Sequence, residues 1–263
     1  MLYEPDYPYL VKETGLLAIQ AGIKALEFYD NGFAVESKPD DTPVTEADKA
    51  LEKLIRAGLK DITPDIPIIG EEGDKNGDIS NGVFWLLDPI DGTKEFIKHN
   101  GEFTVNIGLI VNRKPVFGMV YAPVFSEYYY NKAKDIAVYT EKIGTDEQEL
   151  HTRKLPDNPE ERTIFISRSN HQEKEYLNLL NGLSFGKKIP LGSSLKICRI
   201  AAGKADMYPL GASTYEWDTA AAHSVLTAAG GHIYDFTEKQ ELSYAKKDFR
   251  NPLLLITGFA AFS

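Results

Sequence analysis

The chain has 263 residues, 43% hydrophobic and 26% charged, with 39 acidic against 29 basic side chains and a formal net charge of -10. That sign excludes a protein that holds nucleic acid by bulk electrostatics. The single cysteine, Cys198, excludes an internal disulfide framework and any cysteine-based metal cluster, and a chain this long builds a core without either.

The first ten residues carry Glu4, Asp6 and two prolines but neither a basic nor an apolar segment, so they do not read as a secretory signal. Apolar residues at helical spacing, Leu17, Ala21 and Leu26 among them, predict a helix over 10–29, stopped at Asn31-Gly32. A second helix is expected over 45–60, with Thr45 as N-cap and Asp48 three residues on, the capping-box pattern. Residues 66–69 and 84–87 read as short buried strands. Residues 103–111 and 116–121 alternate around Asn112-Arg113-Lys114-Pro115 as a hairpin. Residues 128–131 and 136–139 extend that sheet, with the tyrosines of Tyr128-Tyr129-Tyr130 packed on one face.

Past a boundary near 157–161, strands over 163–167, 188–191 and 205–208 alternate with helices over 174–180 and 194–202. A helix over 216–229, ended by Gly230-Gly231, and strands over 233–236 and 253–256 complete the pattern. Residues 1–158 thus read as helix plus antiparallel sheet and 159–263 as α/β. The expected fold class is a layered α/β sandwich whose sheets are covered by helices. The apolar stretch 253–262 is about half of the roughly 20 residues that span a bilayer. With a lone thiol, a cytoplasmic protein is expected.

Three acidic groups sit where strands end or helices begin. Ile68-Ile69-Gly70-Glu71-Glu72-Gly73 runs an apolar strand into adjacent carboxylates between glycines, which taken alone describes a solvated turn. Trp85-Leu86-Leu87-Asp88-Pro89-Ile90-Asp91-Gly92-Thr93 holds Asp88 and Asp91 with a proline and a glycine. Turn dipeptides alone would make this a tight loop. The position, however, is the C-terminal end of a strand, where α/β proteins place ligands. Rigid carboxylates three apart, with a backbone carbonyl between them, form an oxygen cluster of the kind hard cations such as Mg²⁺ prefer. Gly92 and Thr93 add N–H groups and a hydroxyl suited to a phosphate oxygen. In Glu216-Trp217-Asp218-Thr219-Ala220-Ala221-Ala222, Asp218 stands in a first helical turn, where a carboxylate is favourable by roughly 0.3–1 kcal/mol. The alanine run lets that helix approach another backbone closely, which would bring Asp218 to the cluster. Each group alone has a bland reading; the three together do not.

The ordered set Pro43-Val44-Thr45-Glu46-Ala47-Asp48, Gly70-Glu71-Glu72, Asp88-Pro89-Ile90-Asp91-Gly92-Thr93 and Trp217-Asp218-Thr219-Ala220-Ala221 resembles the inositol monophosphatase superfamily. Gly92-Thr93-Lys94-Glu95-Phe96-Ile97, Asn100-Gly101-Glu102-Phe103-Thr104-Val105-Asn106-Ile107, Ile166-Ser167-Arg168-Ser169 and Gly192-Ser193-Ser194-Leu195-Lys196 are similar to its 3'(2'),5'-bisphosphate nucleotidase branch. The resemblance spans about 10–251. It implies a Mg²⁺-dependent, lithium-sensitive phosphatase with an αβαβα sandwich. By position, it assigns one metal to Glu71, Asp88 and the Ile90 carbonyl, and a second to Asp88, Asp91 and Asp218. A third, looser Mg²⁺ sits near Glu71 through waters. Asp48 and Thr93 match the pair that orients and deprotonates the attacking water, and the phosphate rests on the Gly92 and Thr93 amides. Ser193, Ser194 and Lys196 match contacts to a second phosphate or the ribose. A lone lysine in Lys196's place would otherwise read as a snorkelling surface residue.

The implied substrate is adenosine 3',5'-bisphosphate, with 3'-phosphoadenylyl sulfate as a second. A monomer or homodimer is expected in the cytoplasm, and the resemblance adds peripheral association with the cytoplasmic face of the inner membrane as an option. One departure stands out. Where bisphosphate nucleotidases commonly carry an arginine soon after Tyr-Pro, this chain has Tyr208-Pro209-Leu210, which puts nucleotide affinity in question and leaves Arg168 or Arg199 to compensate. An inositol-monophosphate or sugar-bisphosphate phosphatase on the same metal site is the alternative enzyme. A non-catalytic interaction protein would show eroded ligands, and every expected carboxylate is present. His99, His151, His223 and His232 share no metal spacing and read as surface or satisfied core residues, whereas His171 is a candidate for touching the base. Cys198, on an apolar helix face, reads as a small buried hydrophobe.

Overall fold

Local signals set the first helices. In the computed structural model, which describes residues 3–37, 43–73, 75, 77–168 and 173–262, α1 (Tyr7–Asn31) starts where the Asp6 side chain accepts from the Tyr9 N–H. It ends at Gly32, at a φ of 89°. After an antiparallel pair, β1 (Val35–Ser37) and β2 (Pro43–Thr45), helix α2 (Glu46–Ile62) opens on the expected capping box. The Asp48 N–H donates to Thr45 Oγ1 at 3.4 Å, and the Thr45 N–H to Asp48 Oδ2 at 2.7 Å.

A seven-stranded sheet follows. β3 (Ile68–Gly70) pairs in parallel with β4 (Val83–Asp91). After α3 (Thr93–Ile97), β5 (Thr104–Val111), β6 (Lys114–Ala122), β7 (Glu127–Ala133), β8 (Ile136–Thr140) and β9 (Gln148–Glu149) continue antiparallel in sequence order. The β5–β6 hairpin turns through Asn112 and Arg113, both at positive φ, as a primed hairpin turn requires. The rest of the chain supplies β10 (Thr163–Ser167), α4 (Lys174–Gly182), β11 (Lys187–Leu191), α5 (Leu195–Ala201), β12 (Met207–Leu210), α6 (Glu216–Ala228), β13 (His232–Asp235), β14 (Gln240–Glu241) and β15 (Leu254–Thr257). These six strands lie in the order β11-β10-β12-β15-β13-β14, with β10 parallel to both neighbours and the other pairs antiparallel.

The helices sort into three layers. α1 and α2 close a core on one face of the first sheet, against Trp85, Leu87, Ile107 and Leu109. α5 and α6 lie between the two sheets, among Phe84, Leu86, Ile110 and Ile256. α4 covers the far face, with Tyr176 and Leu179 on Leu253 and Leu255. This is the expected αβαβα sandwich. α6 lies against bare backbone: a Cβ on Gly118 would come 2.7 Å from the Ala221 carbonyl carbon, and one on Gly108 2.9 Å from the Ala221 nitrogen. The glycines of β5 and β6 and the alanines of α6 together produce the close approach that the sequence suggested.

Two expectations are corrected, and one element is new. Because helices cover both faces of the first sheet, Tyr129 packs toward the middle layer and Tyr128 and Tyr130 toward α1, so the strand has two packed faces, not one. β12 begins at Met207, not at 205, because Asp206 is given over to a buried ion pair with Arg153 and to the Thr163 N–H at 2.7 Å. α3, only five residues long, is too short to show a helical period and was not expected. Among the described residues no helix is long and apolar enough to cross a membrane.

Candidate active site

The site begins with a fault in a strand. β4 pairs with β5 from Val83 to Asp88, opposite Asn106, and resumes only at Asp91, opposite Thr104. The extra residue falls at Pro89-Ile90, where proline's missing N–H costs no ladder bond. The Ile90 N–H turns back to Asp88 Oδ1 at 3.0 Å, and the Ile90 carbonyl accepts from Thr93 Oγ1 at 3.2 Å. Gly92 then takes a left-handed conformation, φ 91° and ψ 41°, and begins α3. A Cβ there would meet the Glu102 carbonyl oxygen at 3.0 Å, so glycine is required on both counts.

This irregular loop gathers carboxylates from three other places in the chain. Asp88, 1% exposed, has its carboxyl pushed well above the usual range by burial and by the charges of Glu71, Asp91, Asp218 and Asp48. Burial pushes the Asp91 carboxyl up to about 6, against the pull of Lys196 and of the Ser194 N–H that it accepts. Asp218 accepts the Tyr215 N–H at 2.8 Å. Thr93 Oγ1 lies 3.4 Å from Asp48 Oδ1, so the two residues expected to handle water touch across 45 positions of sequence. Glu71, Asp88, Ile90, Asp91, Thr93 and Asp218 line one 460 Å³ cavity.

The donor set is hard oxygen throughout. The strongest charges acting on the buried Asp88 are all carboxylates. Such crowding is costly unless a cation answers it. Among the described residues no three of these side chains converge tightly enough to cage an ion as they stand. Asp88, Asp91 and Asp218 each accept a backbone amide on one oxygen, which fixes the carboxylate. The residues fit Mg²⁺-type chemistry.

On the other side of Asp91 and Gly92 lies a second cavity of 280 Å³, lined also by Arg168, Ser193, Lys196, Tyr208 and Leu210. Lys196 is no snorkelling surface residue: it is 4% exposed, donates to the Leu191 carbonyl at 3.0 Å and lies 4.9 Å from the centre of the Tyr208 ring. Burial lowers its pKa to about 8, against Asp91, Glu95 and Glu102. Ser193 holds a positive φ of 51°, and its hydroxyl accepts the Leu195 N–H at 3.3 Å. The Ser194 hydroxyl is buried against Thr104 and Asn106, at 2.9 and 2.7 Å, so it fixes the loop while its amide fixes Asp91. Arg168 is at the site, and Arg199 is not: it pairs with Glu127 in a separate cleft of 730 Å³.

The family profile of the inositol monophosphatases matches residues 10–258. The chain belongs to the inositol monophosphatase family. Proteins of this family are metal-dependent phosphatases, generally with Mg²⁺. The chain is 40% identical over 253 residues to the 3'(2'),5'-bisphosphate nucleotidase CysQ of Salmonella typhimurium, covering 94% of this chain and 99% of that one. It is 41% identical over 241 residues to the CysQ of Escherichia coli O157:H7, covering 90% and 94%. The crystal structure of CysQ from Bacteroides thetaiotaomicron, a bacterial member of the inositol monophosphatase family, superposes with a TM-score of 0.74 at 34% identity, over 92% of this chain and 94% of that one.

Several working residues escaped the sequence reading. Glu52 and Arg56, an i,i+4 pair on α2 at 2.7 Å, brace the acidic loop: Glu52 accepts the Glu72 N–H at 2.6 Å and Arg56 donates to the Ile68 carbonyl at 2.8 Å. Their spacing was visible; their target was not. Glu95 and Glu102 stood in quoted motifs without a role, yet both are buried beside the second cavity. His171 and Ser169 lie outside the described residues. Of the other histidines, His223 is buried on Tyr244 at 3.0 Å, His232 meets Glu241 at 2.5 Å, and His99 packs on Tyr29 and Phe33. Cys198 is fully buried, with its thiol pKa pushed up by burial.

Proposed function

We propose that the chain hydrolyses the 3'-phosphate of adenosine 3',5'-bisphosphate to give AMP and phosphate, with 3'-phosphoadenylyl sulfate as a second substrate. What carries this reading is one juxtaposition. A partly buried carboxylate cluster and a cation-lined cavity meet across Asp91 and Gly92, in a chain 40% identical to a bisphosphate nucleotidase over nearly its whole length.

In this reading Glu71, Asp88 and the Ile90 carbonyl hold one cation, and Asp88, Asp91 and Asp218 a second, with a third more loosely near Glu71. Divalent cations supply the positive charge that activates water and stabilises the departing oxygen. The chain's own groups do the rest. Thr93 Oγ1 has one hydrogen and two acceptors within reach, the Asp48 carboxylate and the Ile90 carbonyl. It therefore keeps a lone pair for the attacking water and can relay that proton to Asp48, whose other oxygen is fixed by the Thr45 amide. Gly92, left-handed and without a side chain, and the following Thr93 present adjacent amides to the phosphate. Lys196 faces the rest of the nucleotide from the second cavity.

A competing reading is favoured by one observation: Leu210, not an arginine, lines that cavity, which lowers its charge toward what an inositol monophosphate needs. Phosphate release from adenosine 3',5'-bisphosphate and from inositol 1-phosphate in Mg²⁺ decides between them. The bisphosphate is expected to turn over faster; the reverse order overturns the assignment.

A further inference from the structure

We propose that Arg168, held by Glu102, is the residue that reads the second phosphate of the substrate. The inference rests on the bisphosphate reading above and assigns a specificity-determining contact within it. Leu210, at the end of β12, is 6% exposed and belongs to the central core, so β12 brings no cation to the cavity. The neighbouring strand does. β10 runs parallel to β12 with Ile164 beside Met207. Continuing that register, Ser167 comes level with Leu210, and the Ser167 and Tyr208 hydroxyls meet at 3.0 Å. Arg168 is the next residue, so its guanidinium enters the cavity from the adjacent strand, at the height where β12 carries leucine.

The guanidinium is fixed. Arg168 Nε donates to Glu102 Oε2 at 2.5 Å and Nη2 to Oε1 at 2.6 Å. Glu102 Oε2 also accepts the Gly192 N–H at 2.7 Å, tying the pair to the loop that bears Ser193 and Ser194. Burial alone would raise the Glu102 pKa, but Arg168 and the Gly192 amide hold it below the usual range, so the carboxylate stays charged. The Glu102 side chain is 11% exposed and that of Arg168 39%, so the pair is anchored at the acid and open at the base. A guanidinium carries five N–H donors and this fork uses two of them. The outer edge keeps three, oriented, beside the buried ammonium of Lys196. Because Glu102 already balances the charge of Arg168, the pair offers directed donors more than net charge. That arrangement rewards a second phosphate and does little for a monoester that lacks one.

Initial rates with adenosine 3',5'-bisphosphate and with 3'-AMP, in Mg²⁺, test this in the wild type, Arg168→Gln and Arg168→Lys. The ratio of kcat/KM values, bisphosphate over 3'-AMP, is expected to fall about 10- to 100-fold in Arg168→Gln, mainly through KM, the size of one lost charge-assisted hydrogen bond. Arg168→Lys, with the charge but not the fork, is expected to recover only part of it. An unchanged ratio in Arg168→Gln, whether both substrates slow together or neither does, overturns the inference and leaves Arg168 as a brace for Glu102. A wild type that prefers the bisphosphate keeps the underlying reading standing in that case. A wild type that releases phosphate from neither nucleotide overturns both.

Discussion

Gly118→Ala adds one methyl group far from any reacting atom, and should nonetheless cost both stability and metal affinity. Gly118 has an ordinary extended φ, so alanine strains no backbone there, and the effect is purely one of space. The new Cβ would lie 2.7 Å from the Ala221 carbonyl carbon and 2.9 Å from its Cα, against its carbonyl oxygen as well. Ordinary contact begins near 3.4 Å, so β6 and α6 must part by about 0.7 Å or more. Backbone cannot swing aside as a side chain can. Overpacking of this kind costs roughly 1–3 kcal/mol. At about 2–4 °C per kcal/mol for a chain of this size, the midpoint of thermal unfolding should fall by about 2–12 °C.

The functional consequence follows from helix geometry. Asp218 lies three residues before Ala221, about 4.5 Å along the same helix, so a displaced α6 carries that carboxylate away from Asp88 and Asp91. Catalytic geometry loses on the order of 100-fold in rate for a misplacement near 1 Å. The Mg²⁺ concentration for half-maximal phosphate release should therefore rise, and kcat/KM should fall by about 10- to 100-fold. Gly15→Ala is the control: its Cβ meets only the Ile143 side chain, with Cδ1 2.8 Å away, in the outer helix layer. It should move the melting temperature at most and leave the Mg²⁺ midpoint alone. A Gly118→Ala protein with wild-type melting and a wild-type Mg²⁺ midpoint would refute the claim that the backbone-to-backbone approach positions Asp218.

Two further outcomes concern charge. Asp88→Asn should melt a few degrees above wild type in EDTA, yet gain less than wild type on adding Mg²⁺ and release no phosphate. The folded pKa of Asp88 is raised by burial and by its acidic neighbours, so its stabilising share is full below about pH 3.9 and is lost as pH rises. A lower melting temperature than wild type in EDTA would count against that account. His223, on α6, has its pKa lowered by burial to about 3, whereas the unfolded value is near 6.5. Between those values the unfolded chain binds the extra proton, so stability falls as pH drops through this window, by about 1.4 kcal/mol per unit. His223→Gln should flatten the decline of melting temperature between pH 6 and 4.5; equal slopes for the two proteins would refute this.

Much of the architecture was legible because local chemistry and global fold agree here. The Thr45–Asp48 capping box, the Asn112-Arg113 turn and the Ala220–Ala222 run each have a local cause, and each is found where that cause places it. The carboxylates were legible because proline, glycine and strand ends fix them within a few residues. What escaped depends on register between distant strands. Arg168 and Glu102 are 66 positions apart and meet only because β10 and the loop before β5 end at the same cavity. Lys196 looks like any helical lysine until α5 is placed between two sheets, which buries it. The tyrosines of β7 misled for the same reason, since a strand covered on both faces loses the alternation that marks one.

The middle helix layer explains why a cluster of like charges survives in a folded core. Asp88 and Asp91 come from β4, Glu71 from the turn after β3 and Asp218 from α6, so Asp218 cannot draw away from the β4 aspartates with its helix without opening the close contact at Gly108 and Gly118. The backbone amides of Ile90, Ser194 and Tyr215 hold one oxygen of each aspartate in place. The repulsion is thus retained in the metal-free fold, and a cation bound there would relieve it. Stabilisation by a bound ligand grows with its concentration relative to Kd, so Mg²⁺ should contribute to folding as well as to chemistry. The same argument resolves why a chain of net charge -10 would accept a bisphosphate. In the proposed reading the positive charge is divided between two cavities, with Arg168 and Lys196 on one side and exchangeable metal on the other, meeting at Asp91 and Gly92.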